Sequence, residues 1–474
     1  MGYIHFFDDW QLISYTNLKR MQGKPKYVPE ATLEDELCEG CWDFPLVVRN
    51  PDTGKYIGLY GAAPGAADIE KYDIPEGTDQ NVQPREPIIS YAESDDGIHW
   101  KKPDLTGKVK FEGNVRAKNQ VFGLNGGVEG GPAYYDTHDP DPSRRFKLLV
   151  NFLQHNKNVD SKPCRAMVVS PDGIKWKVWK VFEDQEATDT PTSIFYNPQR
   201  GTYVFNVRRY NGDRRIFFFE TKDWVNFTEP ELIMHPTLLD PPLVGFYGMP
   251  VIPYENMFLG LLWRIHCDPN AHTLPNGPID CDLVYSYDGN HFNRTFNNAF
   301  IGCNELGDHG GGCIYVGSMM IDENHQIRFY SGGSKAEHYQ NQNLTDAALM
   351  LHTLRLDGFV YMATTAGKGY LRTRPLHING DNLQINARSP YGGIRVRVLD
   401  EKGNEMPGYG FNNCIPLLGD ELFWSPKWKN GKTIAGVKSY KRRQLEIEIT
   451  TGEIYAIRGD FEMLKSLWWP DVPK

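Results

Sequence analysis

A short phrase recurs along this chain: Ser94-Asp95-Asp96-Gly97-Ile98-His99-Trp100, Ser170-Pro171-Asp172-Gly173-Ile174-Lys175-Trp176 and Ser286-Tyr287-Asp288-Gly289-Asn290-His291-Phe292. A degenerate copy, Thr221-Lys222-Asp223-Trp224-Val225-Asn226-Phe227, lies between the last two. Each follows a β-rich run, as the stretch from Pro87 to Glu93 precedes the first. Asp-Gly reverses a chain because glycine accepts the left-handed backbone that tight turns demand, and the aromatic then returns on the next strand. Repetition at intervals of tens of residues marks a repeated β unit, so blades or solenoid turns are expected.

The units can be laid out from these turns. First strands begin at Trp42-Asp43-Phe44-Pro45, Glu129-Gly130-Gly131-Pro132, Asp189-Thr190-Pro191, Tyr247-Gly248-Met249-Pro250 and, more loosely, Cys313 to Met320. The last unit is read as ending with the run from Ala347 to Met362. Five units of four antiparallel strands predict a five-bladed β-propeller. After Gly369 the pattern changes to closely spaced alternating strands, among them Asn382 to Ala387, Gly393 to Leu399, Gln444 to Ile449 and Glu453 to Ile457. These predict a small β-sandwich. The expected fold is therefore all-β: a strand and arm over residues 1–36 packing on the propeller, a propeller over 37–366, and a sandwich over 367–474. The 46 glycines and 32 prolines suit a turn-dense β protein.

A propeller places chemistry. First strands line the central funnel, and strands alternate in direction, so first-strand starts and second-strand ends meet at one mouth. The Asp-Gly turns lie at the opposite face. First-strand starts supply Asp43, Glu129, Asp189, Tyr247, Asp308 and His309. Second-strand ends supply His155, Arg208, Arg209, Trp263, Arg264, His266, Glu337 and His338. Paired carboxylates of this kind are what glycoside hydrolysis needs, one to protonate the leaving oxygen and one to act as nucleophile or to activate water. Arginines nearby would bind substrate oxygens, and Trp263 would stack on a sugar ring. Plainer roles are open to each: a carboxylate there can cap backbone amides, the arginines can bridge blades, and Trp263 can be core.

A formal charge of -9 argues against nucleic acid as a partner, since phosphate backbones are held by basic surfaces. No apolar run is long enough to span a membrane, and Met1 to Phe7, followed by Asp8 and Asp9, does not read as a signal peptide. The compartment and the oligomeric state are left open. Of the 8 cysteines only Cys38 and Cys41 are closely spaced, and without a second such pair neither a zinc site nor any cofactor is expected. Cys267 and Cys281 could close a loop as a disulfide.

At this point the chain resembles five-bladed glycoside hydrolases of the family 32 type (invertase, inulinase, levanase), whose propeller is followed by a β-sandwich. The C-terminal segments Leu371-Arg372-Thr373-Arg374-Pro375-Leu376, Gly392-Gly393-Ile394-Arg395-Val396, Pro407-Gly408-Tyr409 and Pro416-Leu417-Leu418-Gly419-Asp420 are similar to sandwich modules attached to sugar hydrolases. Trp42-Asp43-Phe44-Pro45 looks like a diverged form of the family's Asn-Asp-Pro motif, which implies Asp43 as nucleophile or base. Thr188-Asp189-Thr190-Pro191 partly matches its Arg-Asp-Pro motif, which implies Asp189 as transition-state stabiliser. The family's Glu-Cys motif has no counterpart at Tyr247-Gly248-Met249-Pro250, so Glu129 is taken as the acid, with Glu337 next. Arg208, Arg209, Tyr247, Trp263, His266 and His309 complete the expected binding set, and a carbohydrate is the expected substrate. The alternatives are a non-catalytic carbohydrate-binding propeller, a sialidase-like enzyme with Tyr247 as nucleophile, and a phosphorylase with phosphate held by Arg208 and Arg209.

Overall fold

The computed structural model describes residues 1–34, 45–62, 88–111, 115, 117–124, 128–130, 133–154, 162–182, 191–210, 213–269, 276–338 and 347–463. Among these there is no α-helix; strands and turns account for nearly all regular structure. The chain divides into two compact units, one of residues 1–24, 323–327 and 354–474, the other of residues 25–322 and 328–353.

The larger unit is a series of antiparallel sheets of propeller type. The first runs outward from Leu46–Arg49 through Tyr56–Ala62 and Ile88–Ser94 to Gln120–Phe122. The second starts with Glu129–Gly130 and Tyr134–Tyr135 and continues through Phe146–Gln154 and Lys162–Ser170 to Lys177–Phe182. The third contains Pro191–Asn197, Thr202–Tyr210, Arg214–Thr221 and Glu231–Met234. A ten-stranded sheet follows, in two antiparallel parts joined where Ile279 and Cys313 pair in parallel. Its second part ends with Ala347–Arg355, and the strand outside that one comes from the other end of the chain. Lys26–Tyr27 and Leu33–Glu34 both pair with it. The stretch from Ala347 to Met362, expected to close this unit alone, therefore does not: Val360–Thr364 pairs with Leu18–Gln22 in the smaller unit.

Stacking of sheets explains the sequence pattern. Met257–His266 is buried along nearly its whole length, because both of its faces meet another sheet. The apolar clusters sit between neighbouring sheets. Ile57, Tyr91, Phe146 and Val168 join the first and second, and Met167, Phe205 and Phe219 the second and third. Phe195, Phe218, Phe246 and Phe258 join the third to the next, while Tyr56, Tyr330 and Leu349 pack the first against the last. Side chains also tie inner strands together: Ser193 Oγ accepts from the Val251 amide at 2.9 Å, and Ser318 Oγ from the Val47 amide at 3.0 Å.

The recurrent turns share one hydrogen-bond scheme. The serine or threonine hydroxyl accepts from the amide three residues on, at 2.9 Å in Ser94, Ser170, Thr221 and Ser286 alike. The aspartate Oδ1 then accepts from the two amides beyond, at 2.8 Å from both Ile98 and His99 in the first copy. The fourth turn residue has positive φ, +73° in Gly97, and the degenerate copy forces Trp224 into the same region at +63°. A Cβ on Gly97 would lie 2.6 Å from both the Arg328 guanidinium and the Tyr330 hydroxyl, so this turn is a packing point as well as a reversal.

In the smaller unit a nine-stranded sheet is organised around Leu376–Leu399. The first half of that strand pairs with Glu453–Met463, and the second half with Ser439–Thr450. One strand thus passes between two partners through the bend at Ser389 to Gly393, as corners of sandwiches do. Gly2–Ile4, Leu12–Thr16 and Leu18–Gln22 belong to this sheet, so residues 1–24 join the C-terminal unit rather than forming an arm on the propeller.

Candidate functional site

Strand register brings the described candidate residues to the strand ends opposite the Asp-Gly turns. Glu129 pairs with Asn151, Pro191 with Val207, and Val244 with His266. Arg208 and Arg209 therefore run just past the start of the third sheet's inner strand. Asp43 and Asp189 fall outside the described residues; they precede the inner strands that begin at Leu46 and Pro191. Glu129 is placed by its backbone, opposite Asn151.

Tyr247 is the hub of the described polar groups. The Arg208 guanidinium lies 4.0 Å from its ring centroid and that of Arg214 5.4 Å, while His338 Nε2 is 3.1 Å from its hydroxyl. Arg208 also donates to the Tyr247 carbonyl at 3.3 Å. With only 1% of its surface exposed, Tyr247 holds its neighbours in place and offers no accessible nucleophile. Trp263 requires a correction too. It is wholly buried, edge-on to Tyr315, with its indole N–H donating to the Val316 carbonyl at 3.1 Å. Alternation along the strand turns it into the neighbouring sheet, so it is a core residue and presents no face to a sugar.

His266 and Arg264 converge on Asp280. Arg264 binds it through two nitrogens at 2.8 Å each, and His266 Nε2 lies 3.0 Å from Oδ2. Burial alone would raise the Asp280 carboxyl, but the hydrogen bonds from His266 and Arg264 outweigh it and hold the carboxyl below its ordinary value. His309 Nε2 is 2.7 Å from Glu34 Oε1, so the N-terminal segment reaches this predicted residue. Glu337 is half-buried and close enough to Cys303 to help raise that thiol, although burial is the main cause of its rise to about 12. Cys313 is likewise pushed to about 12, chiefly by burial, which makes both thiols poor nucleophiles. Cys267 and Cys281 are free thiols.

Arg165, Arg214 and Asp280 are further candidate residues that a reading confined to first-strand starts and second-strand ends overlooks. All three stand near third-strand starts, and register puts those beside second-strand ends: Arg165 opposite Asn151, Arg214 opposite Tyr210, Asp280 opposite Arg264. Among the described residues no group of His, Cys, Asp and Glu could hold a metal ion. What these residues can do is bind: guanidinium forks and a carboxylate-anchored imidazole suit hydroxyl-rich or anionic ligands.

No family model matches the chain, and no curated protein does. Among solved structures it is similar to an N-acetylgalactosamine deacetylase from F. plautii, at 14% identity over 72% of this chain and 96% of that one, with a TM-score of 0.44. It is similar to a glycosyl hydrolase from Bacteroides ovatus, at 15% identity over 70% and 94%, with a TM-score of 0.44. A β-1,2-mannobiose phosphorylase from Listeria innocua is similar at 13% identity over 73% and 98%, with a TM-score of 0.43. At such identities and scores the likeness identifies neither substrate nor reaction for this chain.

Proposed function

We propose that the chain is a five-bladed propeller enzyme, diverged from the family 32 type, that cleaves a glycosidic bond at the funnel mouth. Asp43 acts as nucleophile or base, Glu129 as the acid and Asp189 as stabiliser, while Arg208, Arg209, His266, His309 and Glu337 hold the sugar. The observation that supports this reading is the shared end: the inner strands that begin at Leu46, Glu129, Pro191 and Val244 pair at their starts with second-strand ends, near the arginines and histidines of those ends. The blade count is supported by an axial cavity of about 390 Å³, lined by residues 46–49, 133–135, 193–194, 250–253 and 317–320, one group from each successive inner strand. Phosphorolysis is the second reading, favoured by the arginines around Tyr247.

A screen of oligosaccharides and aryl glycosides, with and without phosphate, tests both. Alanine at Asp43 or Glu129 should lower turnover by about 10²–10⁴-fold with the thermal midpoint retained. Turnover equal to wild type in both variants would overturn the assignment. Product anomers read by NMR then separate retention from inversion.

A further inference from the structure

Arg264 and His266 lie two residues apart on the strand Met257–His266, and Asp280 stands opposite Arg264 on the strand Ile279–Ser286. Strand alternation therefore puts Arg264, His266, Asp280 and Asp282 on one face of the sheet. There the charges run in a chain. Arg264 grips Asp280 through two nitrogens at 2.8 Å each and comes within 3.9 Å of Asp282. Asp282 accepts from Arg294 Nε at 2.9 Å, and Arg294 Nη1 donates to Asp240 at 2.6 Å. Asp240 in turn accepts from the Thr237 amide at 2.8 Å. The side chains of Arg264, Asp282 and Asp240 are almost wholly buried, so breaking a link would leave a buried charge uncompensated. The chain is a fixed support.

His266 is where this support reaches the mouth. It is the one residue of its strand that is not buried, with 29% of its side chain exposed. Its amide donates to the Pro278 carbonyl at 3.0 Å, and its Nε2 lies 3.0 Å from Asp280 Oδ2. His338, by contrast, is buried with its Nε2 against the Tyr247 hydroxyl. A carboxylate can only accept, and the Arg264 fork holds Asp280 ionised, so Nε2 carries a proton. The neutral ring then offers Nδ1 as an acceptor, and no group among the described residues donates to it.

We propose that His266 is a specificity-determining residue: its Nδ1 accepts a hydrogen bond from a hydroxyl of a neutral sugar, and Asp280 and Arg264 are its positioning residues. An acceptor backed by a carboxylate favours a donor and repels an anion. The group recognised there is therefore a free hydroxyl, not a carboxylate, a phosphate or an O-substituted position. The inference rests on the glycan-processing reading above and names the substrate group that the mouth reads.

Isothermal titration of the full chain at about pH 8, above the ordinary histidine range, with D-glucose, D-galactose, D-mannose and D-fructose tests it. At least one of the four should bind in the millimolar range. His266→Gln keeps an amide donor where Nε2 stands, so Asp280 stays paired, and removes Nδ1. It should weaken binding of that sugar about tenfold while the thermal midpoint is retained. A residue that only braced Asp280 would be replaced by glutamine without loss. Among the monodeoxy forms of the sugar that binds, one should lose as much affinity as His266→Gln does, and His266→Gln should not tell it from the parent sugar. Asp280→Asn should weaken binding as well, but combined with His266→Gln it should add nothing, because it acts through the imidazole. Additive losses would remove Asp280 as a positioning residue. Wild-type affinity in His266→Gln, or binding of none of the four sugars, overturns the proposal, and turnover of glycans in the screen above would then leave the hydrolase reading standing. Binding that follows these variants, with no turnover of any glycan, upholds the acceptor and overturns the hydrolase reading instead.

Discussion

Lys147 is a fully buried cation, and its surroundings show why the second sheet needs it. Its ammonium donates to Asp136 at 2.8 Å, Asp139 at 2.9 Å and the Arg144 carbonyl at 2.7 Å. Asp136 also accepts from the Tyr203 hydroxyl at 2.7 Å, so the network reaches into the third sheet. Lys147→Met would leave two buried carboxylates facing each other, and a loss of about 3–5 kcal/mol is expected. Urea denaturation would read it as a lowered midpoint with an unchanged slope; a shift near zero would mean that Asp136 and Asp139 find other partners. At this scale the sequence was partly legible. Tyr203 and Trp263 are both aromatic residues in apolar strands, and only the neighbouring sheet decides that one caps a buried ion network and the other fills a core.

Closure of the last sheet is an event between distant elements. The outer edge of Ala347–Arg355 is covered by Lys26–Tyr27 and Leu33–Glu34, and between these the Val28 amide donates to the Leu351 carbonyl at 2.9 Å. Local patterns cannot announce such pairing, because an outer strand looks the same whether it follows its neighbour directly or lies some 300 residues away. That is why the stretch from Ala347 to Met362 passed for a finished unit, whereas hairpins written into contiguous sequence were readable. Val28→Pro would delete the donor, and the native φ of -117° does not suit the proline ring. A cost of about 3 kcal/mol is expected, with faster amide exchange along Ala347–Arg355. Exchange there equal to wild type would show that the closing segment adds nothing.

Across the whole molecule the recurrent turns are the most legible feature, since every atom that defines them lies within seven consecutive residues. The mouth is the least legible, because its groups come from strand ends of several sheets and only register brings Arg165 beside Asn151 or Asp280 beside Arg264. The turns also carry a prediction for the molecule as a unit. The Asp96 and Asp288 carboxyls are held below the ordinary carboxylate range. Burial opposes this, but it is outweighed by side-chain and backbone hydrogen bonds from His99 and Ile98, and from His291 and Asn290. Asp223 is lowered as well, by the backbone amides of Asn226 and Val225 and the Asn226 side chain. A lowered carboxyl favours the fold wherever it is ionised in both states, so its contribution is complete above the ordinary value of 3.8. It is lost as pH falls below that value toward the folded one. As these turns sit in the first and third sheets and in the ten-stranded sheet that follows, their protonation should unfold the larger unit as one cooperative event. Thermal midpoints should hold steady from neutral pH to about 5 and fall steeply below about 4. Asp96→Asn with Asp288→Asn should start from a lower midpoint at neutral pH and show a shallower acid limb. An acid limb as steep as wild type in that double variant would assign acid sensitivity to other carboxylates.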